Sequence, residues 1–363
     1  MRRAAIGWVL LVSVGCHSGP GIREDATPPV RDGGSTRDTG PASDGGVVGD
    51  AALRDGGAPS GRVVDHGVVL SSGLSGFVAS DPSVQVLGDG TLAMVYTDVD
   101  PATDNTVLMW TTSPRPDRWT TGTVLLRGRA DAWDEAVEAG ALAPGGAAVL
   151  YGGYRRGGVP ADGFPADQGL LERIGTDWVR QADPVWRRRP DAWDCDAVYS
   201  VDVVGGPGDF HAVYAAHCYT APGVAHGAFV GGASGPTLRE LTPTAEPLLA
   251  PDALPAWSAA YAAEPSLVDL GDCWALLFTG FPDWDGGAPS LGLATARAPL
   301  GPFAVHAEPL LRPDADWREA WVGAPDVVVR DGVAHVFVTG VDGRGVTSIG
   351  YLEVENPAAL WCP

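Results

Sequence analysis

The chain has 363 residues, 45% hydrophobic and 8% aromatic, which is enough apolar material for one large core. Its 50 glycines and 31 prolines fit a turn-rich fold better than a helical one. The 24 basic residues, all arginine, are outnumbered by 45 acidic ones, and the net charge of −21 excludes nucleic acid and anionic membrane surfaces as partners, because both would repel it.

Residues 1–16 read MRRAAIGWVLLVSVGC. Two arginines, a short apolar run and small residues before a cysteine make an export signal. The run is too short to cross a bilayer comfortably. Its ending, Val14-Gly15-Cys16, is similar to a bacterial lipobox, with Ser13 where leucine is preferred. That resemblance implies lipidation of Cys16 and an exported protein held to the cell envelope by its lipid alone. His17 after the cysteine points to the outer membrane; an ordinary signal peptide with an incidental cysteine is the alternative. Residues 17–60, with RDGGSTRDTG, ASDGG and RDGG, carry too few apolar residues for a core and read as a flexible linker. Their repeated DGG lacks the D-x-D-x-D-G spacing of a calcium loop, so a plain linker is preferred over a metal site.

From residue 61 to 363 the sequence repeats. AEPLLRPD at Ala307–Asp314 echoes AEPLLAPD at Ala245–Asp252. Looser copies are DPVWRRRPD (Asp183–Asp191), TVLLRG (Thr123–Gly128) and GVVLSS (Gly67–Ser72). The interval is roughly 60 residues, which defines a repeat architecture. Each period holds short β-rich runs split by Gly, Pro and Asp, with no sustained helical periodicity. Five such units predict an all-β, five-bladed β-propeller with four-stranded antiparallel blades. Innermost strands are expected from Asp81 (DPSVQVL), near Glu138 (EAGALA), from Asp196 (DAVYSVDVV), Glu264 (EPSLVDL) and Pro325 (PDVVVRD). An apolar second strand follows each one. The copy at Val63–Ser71 precedes the first innermost strand, so it is expected to complete the fifth blade and close the ring. The chain is read as a monomer.

Four cysteines remain in an exported domain, so disulfides are expected. Of the three connectivities, Cys195–Cys218 and Cys273–Cys362 are preferred, because the first pair would sit on neighbouring strands of one blade. Zinc is the rival, but there is no CxxC and no histidine at ligand spacing. No metal or cofactor is expected. Acidic residues crowd the five innermost-strand starts: Asp81; Asp134, Glu135 and Glu138; Asp194 and Asp196; Glu264; Glu319 and Asp326. In a propeller those starts surround one funnel. Carboxylates sharing a cleft raise each other's pKa and can separate into acid and base; as isolated residues they would merely shape turns. Trp133, Trp193, Trp257 and Trp321 precede innermost strands, with Phe77 near the first. They suit the flat faces of sugar rings, or they are repeat-encoded packing residues.

The five-fold layout, with SDPSV on the first innermost strand and EPSLV on the fourth, resembles the five-bladed glycosidases of glycoside hydrolase family 43, the arabinanase and β-xylosidase type. That resemblance implies Asp81 as base, Asp196 as modulator and Glu264 as acid. Trp133, Trp193, Trp257, Trp321, Glu135 and Glu138 would contact the carbohydrate. The reaction implied is single displacement with inversion on an oligo- or polysaccharide. Glu264 meets Pro265 directly where the family has Glu-Gly-Pro, blade two reads WDEAVE in place of Trp-Ala-Pro-Asp, and the axial histidine of blade five is absent. A propeller lipoprotein that binds glycans, or envelope components, without cleaving them is therefore the second reading.

Overall fold

A computed structural model describes residues 61–155, 166–219, 227–284 and 287–363. The leader, Cys16 and the 17–60 linker lie outside the described residues. Each repeat folds as four antiparallel strands ordered outward from a central axis. Blade one is β2 (Ser80–Val86), β3 (Leu92–Asp100), β4 (Asn105–Ser113) and β5 (Thr123–Arg127). Blade two is β6 (Ala136–Leu142), β7 (Ala148–Tyr154), β8 (Asp167–Ile174) and β9 (Asp177–Arg180). Blade three is β10 (Ala197–Gly206), β11 (Asp209–Cys218), β12 (Gly227–Gly235) and β13 (Thr242–Pro243). Blade four is β14 (Tyr261–Asp269), β15 (Trp274–Phe281), β16 (Ser290–Ala296) and β17 (Ala304–Val305). Blade five is β18 (Trp321–Arg330), β19 (Val333–Val341) and β20 (Thr347–Glu355), completed by β1 (Arg62–Ser71).

The closure is as the repeats require. β1 pairs antiparallel with β20 from Arg62 opposite Glu355 to Ser71 opposite Ser348, so the chain start supplies the outer strand of the last blade. Both faces of every blade are covered by neighbours, which is why β3 is buried along its whole length and the second strands read as unbroken apolar runs. The core is correspondingly divided, with one buried cluster between each pair of adjacent blades. Between blades five and one, for instance, Phe337, Tyr351 and Ile349 meet Val84, Met94 and Tyr96.

The innermost strands share one irregularity. In blade one Ser80 pairs with Thr97 and Ser83 with Val95, leaving Asp81 and Pro82 opposite a single residue: a β-bulge. The same step recurs at Ala139, Ser200, Glu264 and Ala324. All five bulge residues have positive φ (51°, 46°, 44°, 51° and 40°), left-handed backbone that costs a non-glycine residue about 1 kcal/mol or more. At three of the five, hydrogen bonds between blades hold it there. The N–H groups of Asp81, Ala139 and Ala324 donate to the hydroxyls of Thr339, Thr97 and Thr279 on the preceding blade, at 2.9, 3.0 and 2.8 Å. One layer along the axis, Ser83, Asp202, Ser266 and Asp326 accept the N–H groups of Leu142, Leu267, Val327 and Val84 on the following blade. Ala141 offers no acceptor in blade two. The Val203 N–H that would have used it turns to Oδ1 of Asp202, and Gln168 fastens that seam instead by donating to the Val198 carbonyl at 2.8 Å.

Two disulfides join the expected cysteines, Cys195–Cys218 at a Cα separation of 4.8 Å and Cys273–Cys362 at 5.8 Å. The second ties the terminal helix α1 (Pro357–Trp361) to blade four, where Trp361 is buried against the cluster between blades four and five. It spans 89 residues, and closing so long a loop restricts the unfolded chain strongly. Replacing Cys273 and Cys362 together by alanine is expected to lower unfolding stability by about 2–4 kcal/mol. A urea titration measures it; an unchanged midpoint would mean that packing of Trp361 alone holds the terminus.

Candidate active site

The five bulges turn their residues toward the axis, and the sequence decides what each presents: Asp81, Ala139, Ser200, Glu264 and Ala324 in blade order. Asp81 and Glu264 line one cavity there, joined by Glu138, the residue before the blade-two bulge, and by Tyr199 and Ser200 of blade three. Glu138 and Glu264 are buried and Asp81 is half-buried.

Each carboxyl has its own partners. Asp81 accepts from the Ser80 hydroxyl at 2.9 Å. Glu264 Oε2 accepts from the Thr279 hydroxyl at 2.6 Å and from the Ala324 N–H at 3.1 Å. Glu138 Oε2 accepts from the Tyr154 hydroxyl at 3.3 Å. No arginine reaches these three among the described hydrogen bonds and ion pairs, so proton binding must relieve the crowded charge. Burial pushes the Glu264 carboxyl up to about 8, with the negative charge of Asp81 adding to it and the two hydrogen bonds partly opposing. Burial, and then the charges of Asp81 and Glu264, hold Glu138 well above the usual carboxylate range. Asp81 is raised by burial, against the hydrogen bonds of Ser80 and Thr97. Asp81 is thus the group that ionises first, and Glu264 keeps its proton at neutral pH. One anion and one neutral acid share a cavity, as a base and a proton donor must.

Deeper along the axis, Asp202 and Asp326 line the continuation of the cavity. Both are buried and held above their ordinary value by that burial, Asp326 also by the charge of Asp202. Their carboxylates are the interblade acceptors described above.

The sequence matches no established protein family. No curated protein matches it either. Solved structures do. A protein described as a glycoside hydrolase superposes with a TM-score of 0.66 at 18% identity, over 80% of this chain and 90% of that one. β-1,2-Mannobiose phosphorylase from Listeria innocua, solved with β-1,2-mannobiose, gives 0.59 at 11% identity, over 80% and 96%. A thermostable family-43 glycoside hydrolase gives 0.56 at 15% identity, over 78% and 91%. The fold is that of the five-bladed glycoside hydrolases and phosphorylases. At such identities the likeness is one of fold.

Not every residue singled out in the sequence reaches the cavity of this propeller. Asp196 does not line it. It precedes β10, and its carboxylate accepts the Tyr219 N–H at 2.6 Å while its carbonyl accepts Arg188. The axial residue of blade three comes four positions later, at Ser200, which stands at the bulge three residues into β10, just as Glu264 and Ala324 do in β14 and β18. Glu135 and Glu319 are also absent from the lining. Asp134 and Asp194 are spent on structure: Asp134 binds Arg129, Arg180 and the Tyr151 hydroxyl, and Asp194 binds Arg189 and the Tyr214 hydroxyl.

The tryptophans are packing residues of the repeat. Trp133, Trp193 and Trp257 stack on Tyr151, Tyr214 and Phe278, with interplanar angles of 16°, 19° and 19°. Their indole N–H groups donate to the carbonyls of Ala182, Ala245 and Ala307. Close approach of backbone makes room: a Cβ on Gly280 or Gly292 would stand 2.2 or 2.6 Å from Trp257. The blade-five equivalent is Trp317, lying in the same way over Gly340 and Gly350, and not Trp321, which is buried with Ala324 and Val341. The aromatic residue that does line the cavity is Tyr199.

Proposed function

We propose that the protein is an exported glycoside hydrolase that cleaves an oligo- or polysaccharide with inversion. Asp81 acts as general base on water and Glu264 protonates the leaving oxygen. The observation that carries this reading is the pairing, in one axial cavity, of Asp81 with a Glu264 that burial and the charge of Asp81 hold protonated to about pH 8. Glu138, buried beside them, hydrogen-bonds a sugar hydroxyl. Carbohydrate bound to solved neighbours of the same fold, as in the β-1,2-mannobiose complex, supports the substrate class. Two disulfides support an oxidising compartment, in keeping with lipidation at Cys16 and anchorage to the outer membrane through the 17–60 linker.

The second reading, a propeller that binds glycans without cleaving them, is favoured by one observation: Asp196, the modulator that the family-43 resemblance implied, does not line the cavity, and blade three presents Ser200 at its bulge. A screen of arabino-, xylo- and manno-oligosaccharides against the purified protein, with the anomer of the first product followed by proton NMR, separates the two. Release of sugar of inverted configuration is expected, with a basic limb near pH 8 in the rate profile. Binding without turnover across the panel would leave the glycan-binding reading in its place, and a retained anomer would refute the assignment of Asp81 as base.

A further inference from the structure

On the face of the ring where the innermost strands begin, one tryptophan differs from the rest. Trp284 is 38% exposed, the only tryptophan among the described residues to be open to solvent in this way. It follows β15, whose last residue Phe281 pairs with Tyr261 at the start of β14. That places it at the end of the ring where the innermost strands begin, above the bulges. It is also the outermost member of a stack. Phe281 lies flat on Tyr261 (4.2 Å between centroids, 12°), and Trp284 lies on Tyr261 in turn (4.6 Å, 27°). Phe281 and Tyr261 are buried, so a rigid base fixes the plane of an exposed indole. Tyr219 stands nearly perpendicular to it (6.0 Å, 77°) and forms a wall. Ring contacts run from Tyr219 through the buried His217 to Tyr199, which lines the cavity itself.

We infer that Trp284, backed by Tyr261 and flanked by Tyr219, is the binding platform for a sugar ring on the leaving-group side of the scissile bond. The inference rests on the reading of Glu264 as proton donor. Tyr261 is three residues before Glu264 on the same strand, a distance of roughly 10 Å. The donor must face the departing oxygen, so the sugar beyond that oxygen extends over the start of β14. A pre-stacked indole there offers an apolar face to the C–H face of the ring with little ordering of the protein on binding. The ligand class is an uncharged glycan of at least two units beyond the cleaved bond, in keeping with a chain of net charge −21.

The test compares the full chain with Trp284→Ala and Trp284→Phe on two kinds of probe. Arabino-, xylo- and manno-tetrasaccharides reach a leaving-group platform; the corresponding glycosyl fluorides, whose leaving group is a single atom, do not. The expected result is a loss of about tenfold or more in kcat/KM for the cleaved tetrasaccharide in Trp284→Ala. The fluoride should stay within about twofold and Trp284→Phe should recover most of the loss. An equal loss on both probes, or none on either, overturns the platform. Calorimetric titration of the same tetrasaccharides keeps this separate from catalysis. Trp284-dependent binding without turnover upholds the platform and removes Glu264 from its role; the absence of any Trp284-dependent binding removes the platform.

Discussion

Glu264→Gln is expected to lower hydrolysis by about 10²–10⁴-fold while making the fold more stable in mild alkali. Both effects come from one proton. Glutamine keeps an oxygen for the Thr279 hydroxyl and the Ala324 N–H but has no proton to give to a leaving group. In the unfolded chain Glu264 ionises near its ordinary 4.5, in the fold only near 8. Between those values the folded protein holds a proton that the unfolded chain has released. Stability therefore falls as pH rises through that window and levels off above about 8. The accumulated penalty is on the order of a few kcal/mol, and glutamine abolishes it. Denaturant titrations of both proteins at pH 5 and pH 9, beside initial rates, measure the two halves. A wild-type rate in the variant would end the assignment of the proton donor. An unchanged difference in stability between the two pH values would mean that Glu264 does not carry the buried proton.

Asp81→Asn should be as damaging to turnover and should act on its neighbours as well. Removing the base costs about 10²–10⁴-fold. The charge of Asp81 is also the largest electrostatic contribution, after burial, to the raised values of both Glu264 and Glu138. With asparagine there, both glutamates should ionise at lower pH, the opposite of what simple burial of a new amide would do. Side-chain ¹³C NMR of glutamate-labelled protein follows the two titrations directly. If the high-pH Glu264 transition stays where it was, the two carboxyls are not electrostatically coupled, and their pairing as base and acid fails with it.

The ring itself is legible in the sequence because its signals are repeated. Five copies of one phrase set the blade count, and the GVVLSS copy before the first innermost strand announces that β1 joins β20. The axial register is harder to read. Prolines after the bulge, Pro82, Pro265 and Pro325, look like strand starts, yet they occupy bulge positions where no ladder N–H is needed. In blade three, which has no such proline, the first conspicuous acid, Asp196, mimics an axial residue without being one. The usable signal lies two residues past the bulge in every blade but the second, in the hydroxyl or carboxyl that fastens the next blade. Asp81-Pro82-Ser83, Glu264-Pro265-Ser266 and Ala324-Pro325-Asp326 align with Ser200-Val201-Asp202, which puts Ser200 at the axis. Trp321 and Trp317 are confusable for a similar reason: both precede or open β18, and only the glycines Gly340 and Gly350 on neighbouring strands show which one the repeat accommodates.

The left-handed residue at every innermost bulge has a consequence for how this molecule can change over generations. At Asp81, Ala139 and Ala324 the backbone N–H is held by a threonine hydroxyl of the preceding blade, not by the side chain that the socket displays. Aspartate, alanine, serine, glutamate and alanine already occupy the five sockets without disturbing the ring. At those three sockets chemistry and scaffold are therefore separately heritable: substitution can add, move or erase a reactive group while the wheel around it is passed on intact.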